Sequence, residues 1–423
     1  MKIKQKRFVR IFPVLVAGLG CGFLSACLAV ADTPGTMNVA RAGHTATLLP
    51  GGKVLVAGGA EGDLGSKSEV ASAELFDPVH GTWTMAHAMN AASAAHLAIL
   101  LLNGKVLVVG GSLAGAELYD PASDRWTATG SMGGSPASAT ATLLPDGKVL
   151  VAGGVSIGGE LHPLASTEIF DPATGNWTAT GSLNTPRFDQ VAVLLPNGKV
   201  LVAGGEGELG KALSSAELFD PNTGKWTATG AMADVREYAT ATLLPNGKVL
   251  VVGGLNQGMW NGRGKAEDLS RAELYDPATG KWTATSEMKD SRFSHTAILL
   301  RNGKVLVWGG TSIRLVDTPL ANPPGAELYD PHTGQWTKTQ GMSTSRWGYG
   351  TTLLSNGKVL VTGGIQFVLH KAGKDESLAS APMLNDKGHK IGEVRQSNDM
   401  AKIITFSSTE LYDPATGIWT ASE

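Results

Sequence analysis

The chain repeats one short pattern seven times, and that repetition constrains its fold more than any other feature. Four apolar residues followed by two glycines recur at Gly58-Gly59, Gly110-Gly111, Gly153-Gly154, Gly204-Gly205, Gly253-Gly254, Gly309-Gly310 and Gly363-Gly364. After each pair come Glu-Leu/Ile-Tyr/Phe-Asp-Pro and then Trp-Thr, from Phe76/Trp83 through Tyr412/Trp419, with the Trp always seven positions after the aromatic. Neighbouring Gly-Gly pairs lie 43 to 56 residues apart. That period suits a four-stranded propeller blade and is too long for a leucine-rich or tetratricopeptide unit.

Each unit holds four strand signals. The first is a run of small and branched residues such as Thr45-Ala46-Thr47-Leu48. A two-residue turn follows, Asn-Gly in five units and Gly51-Gly52 or Asp146-Gly147 in the others. Such pairs predict type I′ hairpins, which need positive φ at both positions. The second strand, Lys-Val-Leu-Val, is nearly continuous apolar, as a strand buried on both faces should be. The third ends in Asp-Pro, and Asp-Pro-x-Thr-Gly turns the chain into the fourth. Residue size grows from the first strand to the last, the taper that a radial array of blades requires. The expected fold class is therefore all-β, a seven-bladed propeller with four antiparallel strands per blade. Gly35 to Arg41 matches the Gly-x-Met-x-x-x-Arg linker seen at Gly230 to Arg236, and the sequence ends Trp419-Thr420-Ala421-Ser422-Glu423, the last strand of a blade. The ends should meet at a blade boundary, with no blade shared between them and closure resting on packing of blades one and seven.

Residues 1–31 read as an export signal: five basic residues within the first ten, an apolar core from Ile11 to Leu24, then small residues. Two cleavage readings stand. Leu24-Ser25-Ala26-Cys27 fits a bacterial lipobox, with Cys27 acylated, and Ala29-Val30-Ala31 fits ordinary cleavage before Asp32. The expected location is periplasmic or outer-membrane-anchored, or secreted under the second reading. Residues 32–423 form the propeller domain, with a long insertion at 365–408. This part has no cysteine, so neither disulfide nor thiol chemistry is open to it. It carries 30 basic against 37 acidic residues, a net −7 that argues against a nucleic-acid partner.

Comparing the units separates constant parts from variable ones. Turns between strands one and two and between three and four are nearly uniform and belong to one face. Connections between strands two and three run from four residues to more than forty and share the other face with the interblade linkers. Variable loops on a constant scaffold are where binding usually sits. On that face Arg41, Arg187, Arg236, Arg292 and Arg346 open five first strands, with Ser93 and Pro136 in the other two. Three residues on come His44, His96, Ala139, Gln190, Ala239, His295 and Tyr349. Asp189, Glu237, Tyr238 and Trp347 fall at the same rim, beside Phe188 and Phe293, and Trp260 lies in a glycine-rich connection. Together these arginines, His44, His96, His295, Tyr349, the four irregular rim residues and Trp260 are the candidate ligand contacts. The arginines have a competing use, because the motif Glu of each blade could pair with them. Arg at such a rim suits acidic sugars or acidic side chains through two-point hydrogen bonds. The 365–408 insertion, polar and without clear strand signals, reads as a partly ordered flap.

Four apolar residues before Gly-Gly and the spaced aromatic and Trp make the chain similar to kelch-repeat propellers over residues 35–423. Kelch propellers include oxidases, epimerases and protein-binding modules, so the resemblance speaks to fold more than to activity. Oxidases resembling galactose oxidase hold one copper with two Tyr and two His, including an adjacent Tyr-His pair, and a Cys cross-linked to one Tyr. This chain has no Tyr-His dipeptide and no cysteine after Cys27. Tyr238, Tyr349, His44 and His295 are its nearest stand-ins. A sialic-acid-epimerase type would need acid/base and Arg groups in the channel, for which Glu237, Asp189 and His295 are candidates. The Glu-x-x-x-Asp-x-x-x-His iron motif of plant specifier proteins is absent. The expectation is a monomeric, non-catalytic module binding a glycan or protein, without metal or cofactor; the alternative is a carbohydrate-active kelch enzyme.

Overall fold

The computed structural model describes residues 33–61, 68–113, 115–134, 136–156, 162–256, 267–312, 325–368, 379–384, 390–396 and 402–422, the side chains of 367–403 excepted. It is a ring of seven four-stranded antiparallel sheets. In blade one the strands are Thr45–Leu48, Val54–Ala57, Ala73–Asp77 and Thr82–Ala86. In blade seven they are Gly350–Leu353, Val359–Thr362, Thr409–Asp413 and Ile418–Ala421. First strands of adjacent blades adjoin around the axis, and every second strand is buried along its whole length.

Apolar clusters lie between blades rather than within them. One joins Val54, Val56 and Phe76 of blade one to Leu354, Leu360 and Leu411 of blade seven, with Met37 of the N-terminal linker between them. All four strands of blade seven come from the C-terminal side, so no strand is exchanged at closure. Backbone bonds add to the packing: Met37 N donates to Ser407 O at 2.8 Å and Gly364 N to Arg41 O at 2.8 Å. Each motif aromatic stacks at a tilt on the Trp seven residues on, as Phe76 does on Trp83 with centroids 5.0 Å apart. In five blades the indole N–H then reaches the preceding linker, for example Trp282 Nε1 to Gly230 O at 2.7 Å, whereas Trp226 Nε1 donates to Thr167 Oγ1 at 3.4 Å.

The turn face is as uniform as the sequence suggests, but its hairpins are not type I′. Gly52, Gly104 and their equivalents have φ of 79 to 86°, while Asn103 and the other residues before them do not have positive φ. Gly52 N donates to Leu49 O and Leu49 N to Lys53 O, which is a three-residue loop: a type I turn followed by a left-handed glycine. Pro50, Pro145, Pro196 and Pro245 sit where such a turn favours proline. Beside these turns a Lys–Asp pair recurs in all seven blades, from Lys105–Asp120 at 3.2 Å to Lys53–Asp77 at 4.0 Å.

The 365–408 insertion is more regular than its sequence implies. Ile365–Val368 pairs with Lys402–Thr405, continuing the hairpin of blade seven beyond Gly363-Gly364. A second ribbon joins Ala379–Leu384 to Lys390–Gln396. The alternation that marks a half-buried strand is irregular in these segments, so their pairing escaped the pattern.

Candidate functional site

The wall of the ring explains most of the repeated polar residues. Each of the five arginines folds into its own blade, its side chain 0 to 1% exposed. Arg41 Nη1 donates to Gly58 O (2.7 Å) and Ser72 O (2.8 Å), and its Nη2 to Ser72 Oγ (2.9 Å) and Glu74 Oε1 (3.0 Å). Arg187 repeats this on Gly204, Ser215 and Glu217, and Arg346 on Gly363, Ser408 and Glu410. Arg236 pairs with Glu273 at 2.7 Å and Arg292 with Glu327 at 3.2 Å. The other carboxylate oxygen of the glutamate accepts a linker amide, as Glu74 Oε2 does from Asn38 N at 2.7 Å. Burial works against the charge on Arg41, Arg187, Arg292 and Arg346, and the glutamate opposite offsets it. The expected rim cations are thus placed inside the wall, holding glutamate, linker and the carbonyl of the first motif glycine together.

The residues three positions on lie one layer deeper, between blades. His96 of blade two meets Thr45 of blade one, Nε2 to Oγ1 at 3.1 Å. His295 meets Thr240 at 2.8 Å, and the Tyr349 hydroxyl accepts from Thr296 Oγ1 at 3.0 Å. Gln190 Nε2 and Thr140 Oγ1 share the carbonyl of Ala152. Where the first residue of the strand is apolar, so is its neighbour: Leu97 packs against the cluster that holds Ala139, and Val191 shares a cluster with Ala239. At closure the hydroxyl changes strands. Gly350 stands where blades one, three, five and six carry Thr, and His44 bonds instead to Thr362, the cross-strand partner of Gly350, at 2.8 Å. A Cβ on Gly350 would lie 2.7 Å from both His44 Nε2 and Thr362 Oγ1.

Burial governs the ionisation of this layer. It lowers His96 to about 4 and His295 to about 3, with Arg292 and Arg236 adding repulsion in the second case. His44 is held well below 6.5 by burial, then by Arg41 and His96, and Tyr349 is pushed up to about 12. These groups are neutral at physiological pH. Placed at the axis-facing rim by sequence, His44, His96, His295 and Tyr349 are instead interblade contacts. The signal was available for His96, Gln190, His295 and Tyr349, each with a Thr at the matched position one blade earlier, but not for His44, which meets Gly350 there.

Above the wall the linker residues immediately after the Arg position form the mouth. Two positions after it, all seven blades take a left-handed backbone: Gly43, Ala95, Ser138, Asp189, Tyr238, Ser294 and Gly348, with φ of 51 to 66°. Five of these are not glycine, a conformation costing roughly 1 kcal/mol or more each. Amides link neighbouring blades there: Gly43 N to Gly348 O (2.7 Å), Ala95 N to Gly43 O (2.7 Å), Asp189 N to Ser138 O (3.2 Å) and Ser294 N to Tyr238 O (3.0 Å). This belt escaped sequence analysis because only two of its members are glycines.

Side chains make the mouth unequal. Blades one to three present Ala42, Gly43, Ala94, Ala95, Ala137 and Ser138; blades four to seven present Phe188, Asp189, Glu237, Tyr238, Phe293 and Trp347. Phe188 packs on Ala137 and Val155, and Asp189, Glu237 and Tyr238 are buried. Tyr238 lies 6.3 Å from Phe293, centroid to centroid, and Phe293 and Trp347 remain partly exposed. Trp260 lies outside the described residues.

The side chains nearest to a copper set do not converge: His44, His295 and Tyr349 bond into three different interblade interfaces, and Tyr238 stands at the mouth above them. The residues present do not fit that centre. Among the described residues no group of three or more His, Cys, Asp or Glu is arranged to hold a metal ion.

Residues 187–232 and 239–289 match the kelch motif family. Over 93 residues the chain is 34% identical to Kelch-like protein 15 of Homo sapiens, a stretch covering 22% of this chain and 15% of that protein; the Danio rerio protein matches at 33%. The chain therefore spans far less than two thirds of these relatives. Among solved structures, a fungal alcohol oxidase of the AA5 family in complex with copper superposes with a TM-score of 0.63 at 20% identity, over 78% of this chain and 71% of that one. YjhT superposes at 0.54 with 15% identity, over 72% and 99%. At these identities the likeness is one of fold.

Proposed function

Because this chain is a kelch-repeat β-propeller, we propose that it acts as an exported binding module, holding a glycan or protein ligand at the cell envelope on the face of its variable connections. The observation that carries this reading is the division of labour just described. The repeated Arg, Glu, His and Thr residues satisfy one another inside the wall, whereas the partly exposed, non-repeating residues gather at one mouth. Phe293 and Trp347 offer adjacent apolar stacking area on blades six and seven, and the small residues of blades one to three leave room opposite. Arg292 and Arg346 then act as supports beneath these aromatics, so affinity for acidic ligands would have to come from the connections.

Two assays bear on the choice of ligand. Glycan and peptide arrays probed with the wild type should yield a binder that Trp347→Ala loses while the melting temperature holds. Oxidation of alcohols by copper-loaded protein, with no array binder, would replace this reading by the enzymatic one. Export and tethering through Cys27 belong to the same proposal: the lipobox fits at all four positions. Palmitate labelling of the wild type but not of Cys27→Ser is expected, and an unlabelled protein beginning at Asp32 would favour ordinary cleavage.

A further inference from the structure

Two of the seven blades lack the wall arginine, and they compensate differently. In blade two a fully buried Ser93 stands at that position. Glu117 keeps its linker donors, accepting Asn90 N at 2.8 Å, Asn90 Nδ2 at 2.7 Å and Ala91 N at 3.0 Å. Gly110 O, the carbonyl that an arginine takes in other blades, accepts Leu113 N at 3.3 Å, and Leu113 is buried. Blade two is closed by its own residues.

Blade three is not. Pro136 replaces the arginine, and Gly133 replaces the asparagine whose side chain reaches the glutamate in blades one, two and four. The backbone keeps its register. Ala137 and Val155 exchange amide bonds at 3.1 and 2.8 Å, as Ala42 and Ala60 do, and Gly153 N donates to Ser166 O at 3.1 Å, as Gly58 N does to Ser72 O. The groups that correspond to the acceptors of Arg41 and Arg187 are therefore all present: Gly153 O, Ser166 O, Ser166 Oγ and Glu168. Glu168 accepts only Gly133 N, at 2.9 and 3.2 Å from its two oxygens, and no described residue donates to Gly153 O. A buried carbonyl without a donor is uncommon. Glu168 and Met132 are partly exposed and Ser166 is exposed, whereas the matched Glu74, Glu217, Met37 and Leu183 are buried. A position that five blades fill with a guanidinium is thus open to solvent in this one.

We propose that blade three carries a binding site for the guanidinium of an arginine side chain presented by a partner protein. Arg187 shows the fit within the same ring. Its Nη1 donates to Gly204 O and Ser215 O at 2.9 Å each, and its Nη2 to Ser215 Oγ at 2.9 Å and Glu217 Oε1 at 3.0 Å. Such a planar fork spans carbonyl, hydroxyl and carboxylate together, which the compact ammonium of lysine does not. Met132 offers apolar surface to the methylenes of the incoming chain. Neither Phe293 nor Trp347 contributes, so the site goes beyond the mouth reading and does not depend on it.

The test follows methyl resonances of the methionine-labelled protein, with Met132 assigned by its loss in Met132→Leu. Titration with N-acetyl-arginine amide should move the Met132 signal saturably, with a dissociation constant on the order of millimolar. The lysine counterpart, and the Glu168→Gln protein with the arginine probe, should each bind about tenfold more weakly. Pro136→Arg supplies the side chain in cis and should show a displaced Met132 signal that no longer responds to the probe. An unmoved Met132 signal in the folded wild type would overturn the site, as would a response that survives unchanged in both Glu168→Gln and Pro136→Arg. Equal affinity for the lysine probe would overturn the guanidinium assignment, and much tighter binding of free arginine would overturn the assignment to a protein partner.

Discussion

Arg346 and Trp347 are neighbours in the chain, yet they belong to different regimes. Arg346 is sealed in the wall, bonded to Gly363 O, Ser408 O and Glu410, while Trp347 stands partly exposed at the mouth, its backbone bridged to Ile365. The same step from wall to mouth separates Arg292 from Phe293. In the wall a residue recurs because its partner recurs, and changing one strands a buried group. At the mouth, backbone bridges recur from blade to blade while the side chains differ. A repeated charged residue is therefore, in this ring, evidence of a scaffold, and a non-repeated aromatic beside it is the better sign of a binding surface.

Acid should break the wall most widely. His96 and His295, with pKa values lowered by burial to about 4 and about 3, resist protons that the unfolded chain binds below about 6.5. Their stabilisation is complete above pH 6.5 and lost as pH falls toward 4, by about 3 kcal/mol each. Urea midpoints measured from pH 7 to 4 should fall less steeply in a His96→Gln/His295→Gln variant than in the wild type; parallel curves would show that these histidines titrate freely.

Next in size is the arginine. Arg41→Ala leaves Glu74 buried beside an empty site and should cost about 3–5 kcal/mol. The same loss is expected of Arg292→Ala, read as a fall in melting temperature before any ligand is added. Blades two and three sharpen the test, since Ser93 and Pro136 already stand at this position, and Ser93→Ala should cost far less. If Arg292→Ala leaves stability untouched and weakens only binding, the arginines belong to the mouth after all.

Closure gives a smaller effect. Thr362→Val keeps the shape but removes the hydroxyl opposite His44 Nε2, leaving a buried nitrogen without its partner at a cost of about 1–3 kcal/mol. Gly350→Ser supplied alongside it should fail to rescue, because a Cβ there collides with the histidine. Trp347→Ala, at the mouth, is expected to change stability by less than about 1 kcal/mol while abolishing the array signal. Least of all, Lys199→Ala removes a solvent-screened pair with Asp220 at 3.2 Å and should leave the urea midpoint nearly unchanged.

The sequence by itself determined the number of blades, the order of strands within each and the boundary at which the ring closes. These follow from local periodicity, where the Val-Leu-Val runs, Gly-Gly ends and Trp spacings each report on a few consecutive residues. It also contained the matched interblade positions, Thr240 with His295 and Val191 with Ala239, although they become legible only when one blade is aligned on the next. Tertiary structure decided the rest. Whether Arg292 points into its own blade or toward a ligand depends on where Glu327 and Gly309 O lie, 35 and 17 residues away, and no spacing rule encodes that direction. The left-handed belt was hidden for a related reason: Ala95 and Tyr238 adopt a backbone that their residue types disfavour, and amides and carbonyls of neighbouring blades bond there.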